Sequence, residues 1–133
     1  MKNRKVNPGS LKATENHVLD MERVHGYYKL FKNKLFVEPV TLIREPFTVH
    51  LYLADGNHAA YGAFLAQVIE IDGNLLETDG DVRTELGQTK RLSTLDEALA
   101  YCREQHRGSK KIGIEFICDY GKIHPKPSDW NSH

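Results

Sequence analysis

Cysteine is scarce in this chain. Only Cys102 and Cys118 occur among 133 residues. Two are too few for a disulfide framework, and they lack the paired spacing of a zinc site. Both fall on apolar positions of the elements read below, so both are expected as buried thiols rather than nucleophiles. An excess of charge is missing too: 18 basic residues balance 18 acidic ones, and the pI is about 7.1. A generic binder of nucleic acid or of an anionic membrane surface usually carries net positive charge. Long apolar runs are absent. No stretch approaches the roughly 18 residues that a membrane-spanning helix needs. The basic start MKNRKVNPGS leads into no apolar segment, as a signal peptide would, and the expected location is cytoplasmic. The glycines stand singly beside turn residues, so no glycine-rich phosphate loop is visible. There is no internal repeat.

What is there fits one soluble domain with a core of its own. Charge is zoned along it. Residues 1–34 carry eight Lys or Arg against three acids, and residues 90–111 carry six against three. Between them, Glu70, Asp72, Glu77, Asp79, Asp81 and Glu85 face Arg83 alone in residues 70–85. Residues 1–13, with Pro8, Gly9 and Ser10, read as a mobile N-terminal arm. A short helix over 14–24 is suggested by Thr14 as a cap. Residues 26–38 read as a hairpin turning at Lys32–Asn33. Pro39 and Pro46 bracket VTLIRE, which is expected as an edge strand or an extended connection.

Residues 47–54, FTVHLYLA, alternate as a strand does. Residues 59–66 fit helix and strand equally well. VIEI reads as a strand, and Asp72-Gly73 as a hairpin turn. TDGD at 78–81 reads as a second turn, with further strand around Gly87. The clearest helix covers about 94–107. Ser93 or Thr94 caps it, an acid stands three residues on, and Leu95, Ala98, Leu99 and Cys102 form one stripe. KIGIEFICDY over 111–120 alternates and is expected as a strand with Cys118 on the core side. The predicted fold is therefore an α+β domain over 14–123. It has a mostly antiparallel sheet of five or six strands and one long helix packed on one face. Residues 124–133 form a tail containing prolines that is either loose or anchored by Trp130.

Chemistry is sparse. Asp55-Gly56-Asn57-His58 gathers groups that enzymes use, but no serine or cysteine lies near in sequence. The same residues suit a turn. His50 and His58, with Asp55, would make a metal or hydrolase site only if the fold brought the histidines together. With no catalytic constellation the sequence argues against an enzyme, and no cofactor is expected. Two surfaces remain. On the expected hairpin, strand parity puts Tyr28, Leu30, Leu35 and Val37 on a core face. Tyr27, Lys29, Phe31, Lys34 and Phe36 fall on the other. That second face suits a protein contact, whether with a partner or with a second copy. It would also suit nucleic acid, with Lys90, Arg91, Lys110 and Lys111 if the fold gathers them. The acids Glu77, Asp79 and Asp81 would dock a basic partner. The leading expectation is a non-enzymatic interaction module, such as a regulator or an immunity-type partner that neutralises a basic protein.

Overall fold

The computed structural model describes residues 1–131. Its centre is a four-stranded mixed sheet in the order β1-β4-β2-β3. The strands are β1 (Lys2–Val6), β2 (Val40–Arg44), β3 (Leu51–Asp55) and β4 (Ile71–Leu75). β1 runs antiparallel to β4, β4 parallel to β2, and β2 antiparallel to β3. Four α-helices cover it: α1 (Met21–Lys32), α2 (Asn57–Leu65), α3 (Asp79–Lys90) and α4 (Leu95–Lys111).

The sheet has a core on each face. On one, Leu42, Leu51, Leu53, Ile71 and Leu75 pack with Val24 and Tyr28 of α1 and Tyr61 of α2. On the other, Ile43, Tyr52, Ala54 and Leu76 pack with Val82 and Leu86 of α3 and Ala98 and Cys102 of α4. The chain is α+β, but the sheet is smaller than expected and mixed rather than antiparallel, and four helices stand where one long helix and a short N-terminal one were expected.

Each difference has a physical cause. The expected hairpin is helix α1 because Val24, Tyr27, Tyr28 and Phe31 recur at i, i+3, i+4 and i+7, and all four pack on the α1–α2 core. The Asp20 side chain accepts from the Glu22 N–H and caps that helix. Residues 14–19 are therefore not part of it. The turn read at 78–81 is a helix start: Thr78 and Asp81 form a reciprocal capping box for α3. The alternation in 111–120 misleads. Ile114, Ile117 and Tyr120 are the buried residues there, spaced by three. That period suits the 3₁₀ turn over Ile117–Lys122 and leaves Cys118 exposed.

Asp72-Gly73 makes no hairpin turn. Both lie inside β4, whose partners β1 and β2 come from distant parts of the chain. β2 is interior rather than an edge, because Pro39 and Pro46 sit just outside its span and remove no ladder N–H. Helix α4 matches expectation, with Thr94 and Glu97 as its capping box.

The expected arm at 1–13 is part of the frame. Beyond β1 the chain passes between β3 and the C-terminal segment. The Lys12 N–H donates to Leu51 O, and the Leu53 N–H donates to Lys12 O. On the other side the Ala13 N–H donates to Glu115 O, and the Ile117 N–H donates to Leu11 O. Trp130 stacks on His25 at 4.2 Å between ring centroids and packs on Tyr28, so the tail is anchored.

Candidate functional site

A cleft of about 610 Å³ opens where β3 ends and α2 begins. The turn between them is Asp55-Gly56-Asn57-His58. Gly56 has φ +111°, and a Cβ there would lie 2.6 Å from Val40 Cγ1, so both backbone and space demand glycine. Asn57 fixes the turn to the N-terminal segment. Its Oδ1 accepts from the Thr14 N–H at 3.0 Å, and its Nδ2 donates to Thr14 Oγ1 at 3.0 Å. Thr14 Oγ1 in turn donates to Leu53 O.

The start of α2 is uncapped by any side chain. The first helical bond runs from the Ala60 N–H to Gly56 O at 2.9 Å. The amides of Asn57, His58 and Ala59 therefore have no carbonyl within the helix to reach. Such amides, with the helix dipole behind them, favour an anion. The turn lines the cleft, with Arg23 and Tyr27 of α1 on one side and Lys90 and Tyr101 on another. Neither Arg23 nor Lys90 is engaged by a carboxylate among the described ion pairs. Lys90 instead lies over the Tyr101 ring, 5.2 Å from its centroid. Glu15, Glu38 and Asp55 supply acceptors elsewhere on the wall.

His58 is buried behind the turn. Its Nε2 accepts from the Asp20 N–H at 3.1 Å, so the ring's own proton sits on Nδ1. Burial, and next the charge of Arg23, hold its pKa below the ordinary histidine value.

No protein-family model matches this chain, and no curated protein matches it.

The residues expected to act are dispersed. Tyr27 lies in this cleft, half-buried on α1. Phe31 is half-buried on the same helix and lines a second cleft, between the end of α1 and β4. Lys29 is exposed on α1, and Lys34 is exposed just beyond it. Phe36 is 80% exposed and borders both clefts. The expected hairpin face therefore does not exist as one surface. Lys110 and Lys111 belong to α4, on the opposite side of the sheet from Lys29 and Lys34. Arg91 ends α3, exposed, with φ +56°.

Of the acids, Asp81 accepts from the Thr78 and Glu77 N–H groups and pairs with the N-terminal amine. These contacts, the Glu77 amide first among the favourable ones, hold its pKa below the ordinary range. Asp79 Oδ1 accepts from the Leu95 N–H at 2.8 Å and ties α3 to α4. Glu77 is exposed. His50 and His58 flank opposite ends of β3. The strand between them spans about 3.3 Å per residue, so they share no site. Among the described residues no cluster of three or more His, Cys, Asp or Glu could hold a metal.

In the sequence Asp-Gly-Asn-His reads as a turn, and the next eight residues fit helix and strand equally well. The signal for the cleft was present. A glycine between an alternating strand and an alanine-rich apolar stretch marks a strand–turn–helix junction.

Proposed function

We propose that the cleft at the start of α2 binds a small phosphorylated ligand, with a nucleotide as the class that uses every part of its wall. The observation that carries this reading is the open helix start beside two cations, Arg23 and Lys90, neither of which forms an ion pair with a carboxylate among the described residues. The amides of Asn57, His58 and Ala59 suit phosphate oxygens. Arg23 adds a planar, forked donor. The rings of Tyr27 and Tyr101 suit a planar heterocycle. Asp55, Glu38 and Glu15 suit hydroxyl or amino donors.

The test is titration of ATP, CTP, GTP, UTP and pyrophosphate against the wild type and Arg23→Ala by calorimetry. Arg23 is exposed, so its loss spares the fold. At least one of the nucleotides binds, pyrophosphate competes with it, and R23A weakens it about tenfold, roughly 1.4 kcal/mol. No binding by any of the five at millimolar concentration, or equal binding by R23A, refutes the reading.

A second reading is a protein-interaction module, favoured by Leu35 and Phe36, which stand 58% and 80% exposed after α1. Apolar side chains held in solvent on an ordered segment suit a protein contact, by a partner or a second copy. On this reading Phe36→Ala weakens association, measured by sedimentation against concentration for self-association, and leaves stability unchanged. A monomer at every concentration removes the self-association form.

A further inference from the structure

The hairpin joining β2 to β3 places an aromatic ring in open solvent. Phe47 is 106% exposed and Val49 is 87% exposed. Phe47 also has φ +66°, a conformation that a bulky side chain rarely adopts. The tip that holds it is well bonded. The Thr48 N–H and Thr48 Oγ1 both donate to Glu45 O, and the His50 N–H donates to Thr48 Oγ1. The Glu45 N–H donates to His50 O. A strained, exposed and rigidly supported phenylalanine stabilises nothing within its own fold.

Beside this tip lies a groove of about 690 Å³, separate from the cleft at α2. Val49, Phe64, Phe116 and Cys118 give it an apolar floor open to solvent. Arg4 and Lys5 of β1 and His50 line it, and among the described residues no carboxylate does. Lys5 is occupied by Asp72 at 2.7 Å, whereas Arg4 has no carboxylate partner among the described ion pairs. β1 is also the end strand of the sheet, so its outer backbone groups are unpaired by any strand.

We propose that this groove and the Phe47 tip form a docking surface for an extended segment of another protein that alternates apolar and acidic side chains. The occupant follows from the wall. Apolar side chains fit the floor, and Phe47 is the kind of aromatic anchor that dominates protein interfaces. Acidic side chains meet Arg4 where no carboxylate competes. An extended chain additionally satisfies the free edge of β1. A second copy is disfavoured as the occupant: pairing β1 with β1 would bring Lys2, Arg4 and Lys5 together with their counterparts, and like charges across a strand pair repel.

The test uses a displayed library of random ten-residue peptides, selected on the full-length protein and on Val49→Asp in parallel. Val49 is exposed enough for aspartate to leave the fold intact. The peptides enriched on the wild type alternate apolar and acidic residues. They bind V49D at least tenfold more weakly, and Arg4→Glu weakens them as well. When bound they protect Cys118 from a thiol reagent. Arg23→Ala leaves them unaffected, which separates this surface from the nucleotide cleft. Absence of enrichment, enrichment of basic peptides, or equal binding to V49D overturns the proposal. Co-sedimentation with phosphatidylserine vesicles that V49D abolishes, without peptide enrichment, overturns it in favour of a membrane.

Discussion

Two glycines on facing helices predict opposite results from one substitution. Gly62 lies where α2 crosses α1. A Cβ there would stand 2.8 Å from Tyr27 Cβ and 3.0 Å from both Tyr28 N and Val24 O. Two of these are backbone atoms, which move only if the helix moves. Restoring ordinary contact separates the helices by about half an ångström. A gap of about 0.5–1 Å already forfeits a quarter to a half of the dispersion attraction of the atoms concerned. Overpacking of this kind costs about 1–3 kcal/mol. Alanine returns about 0.8–1 kcal/mol of helix propensity relative to glycine. Gly62→Ala therefore carries a net cost of about 0–2 kcal/mol.

Gly26 lies inside α1 and meets nothing within 4 Å. Gly26→Ala has no clash and keeps the gain, so it stabilises by up to about 1 kcal/mol. Urea unfolding followed by circular dichroism reads both. The midpoints move in opposite directions at constant slope. For a chain of this size about 1 kcal/mol corresponds to roughly 3–5 °C in Tm. Equal stability of the two variants, or a G62A protein more stable than the wild type, would refute the close-approach argument. Because α1 also carries Arg23 and Tyr27, G62A is further expected to weaken any ligand held in the cleft.

Two other outcomes follow from burial. Cys118 reacts with a thiol reagent in the native protein, whereas Cys102, whose burial pushes its pKa up to about 12, reacts only after unfolding. Counting labels with and without urea checks this, and two labels under native conditions contradict it. Burial, their first cause, lowers the pKa values of His58, His106 and His124 in the fold below their ordinary 6.5. The fold thus favours neutral rings. That contribution is complete above 6.5 and is lost as pH falls through 6.5 toward the lower folded values. The urea midpoint drops between pH 7.5 and 5.5, and a flat profile over that window contradicts the assignment.

The sequence was most legible where both ends of an element were marked. Helix α4 has its capping box, its stripe and its basic last turn within one window. Helix α3 carries an equivalent box at Thr78 and Asp81, yet with only Val82 and Leu86 buried its stripe is thin. Helix α1 failed for another reason. YYKLFK satisfies period two and period three-to-four together, and only the distant α2 decides between them. The sheet was the least legible part. β1 pairs with a strand about seventy residues away, and β4 bonds to β2 in parallel, so no local turn reports either pairing. The cleft was half legible. Its four turn residues stand out in the sequence, and Arg23 falls in the helix expected over 14–24, but Tyr27 and Lys90 fall where the pattern reads as strand.

The strap at Leu11–Ala13 has a consequence for how the chain is made. It holds β3 on one side and residues 115–117 on the other, so this N-terminal segment waits for nearly the whole chain before its bonds are complete. On a ribosome the strap meets β3 first, β1 waits for β4, and the strap's second side waits for the segment beyond α4. Closure joins early and late segments in one step, which predicts slow folding for a domain of this length and a stall when synthesis stops short of Ile117.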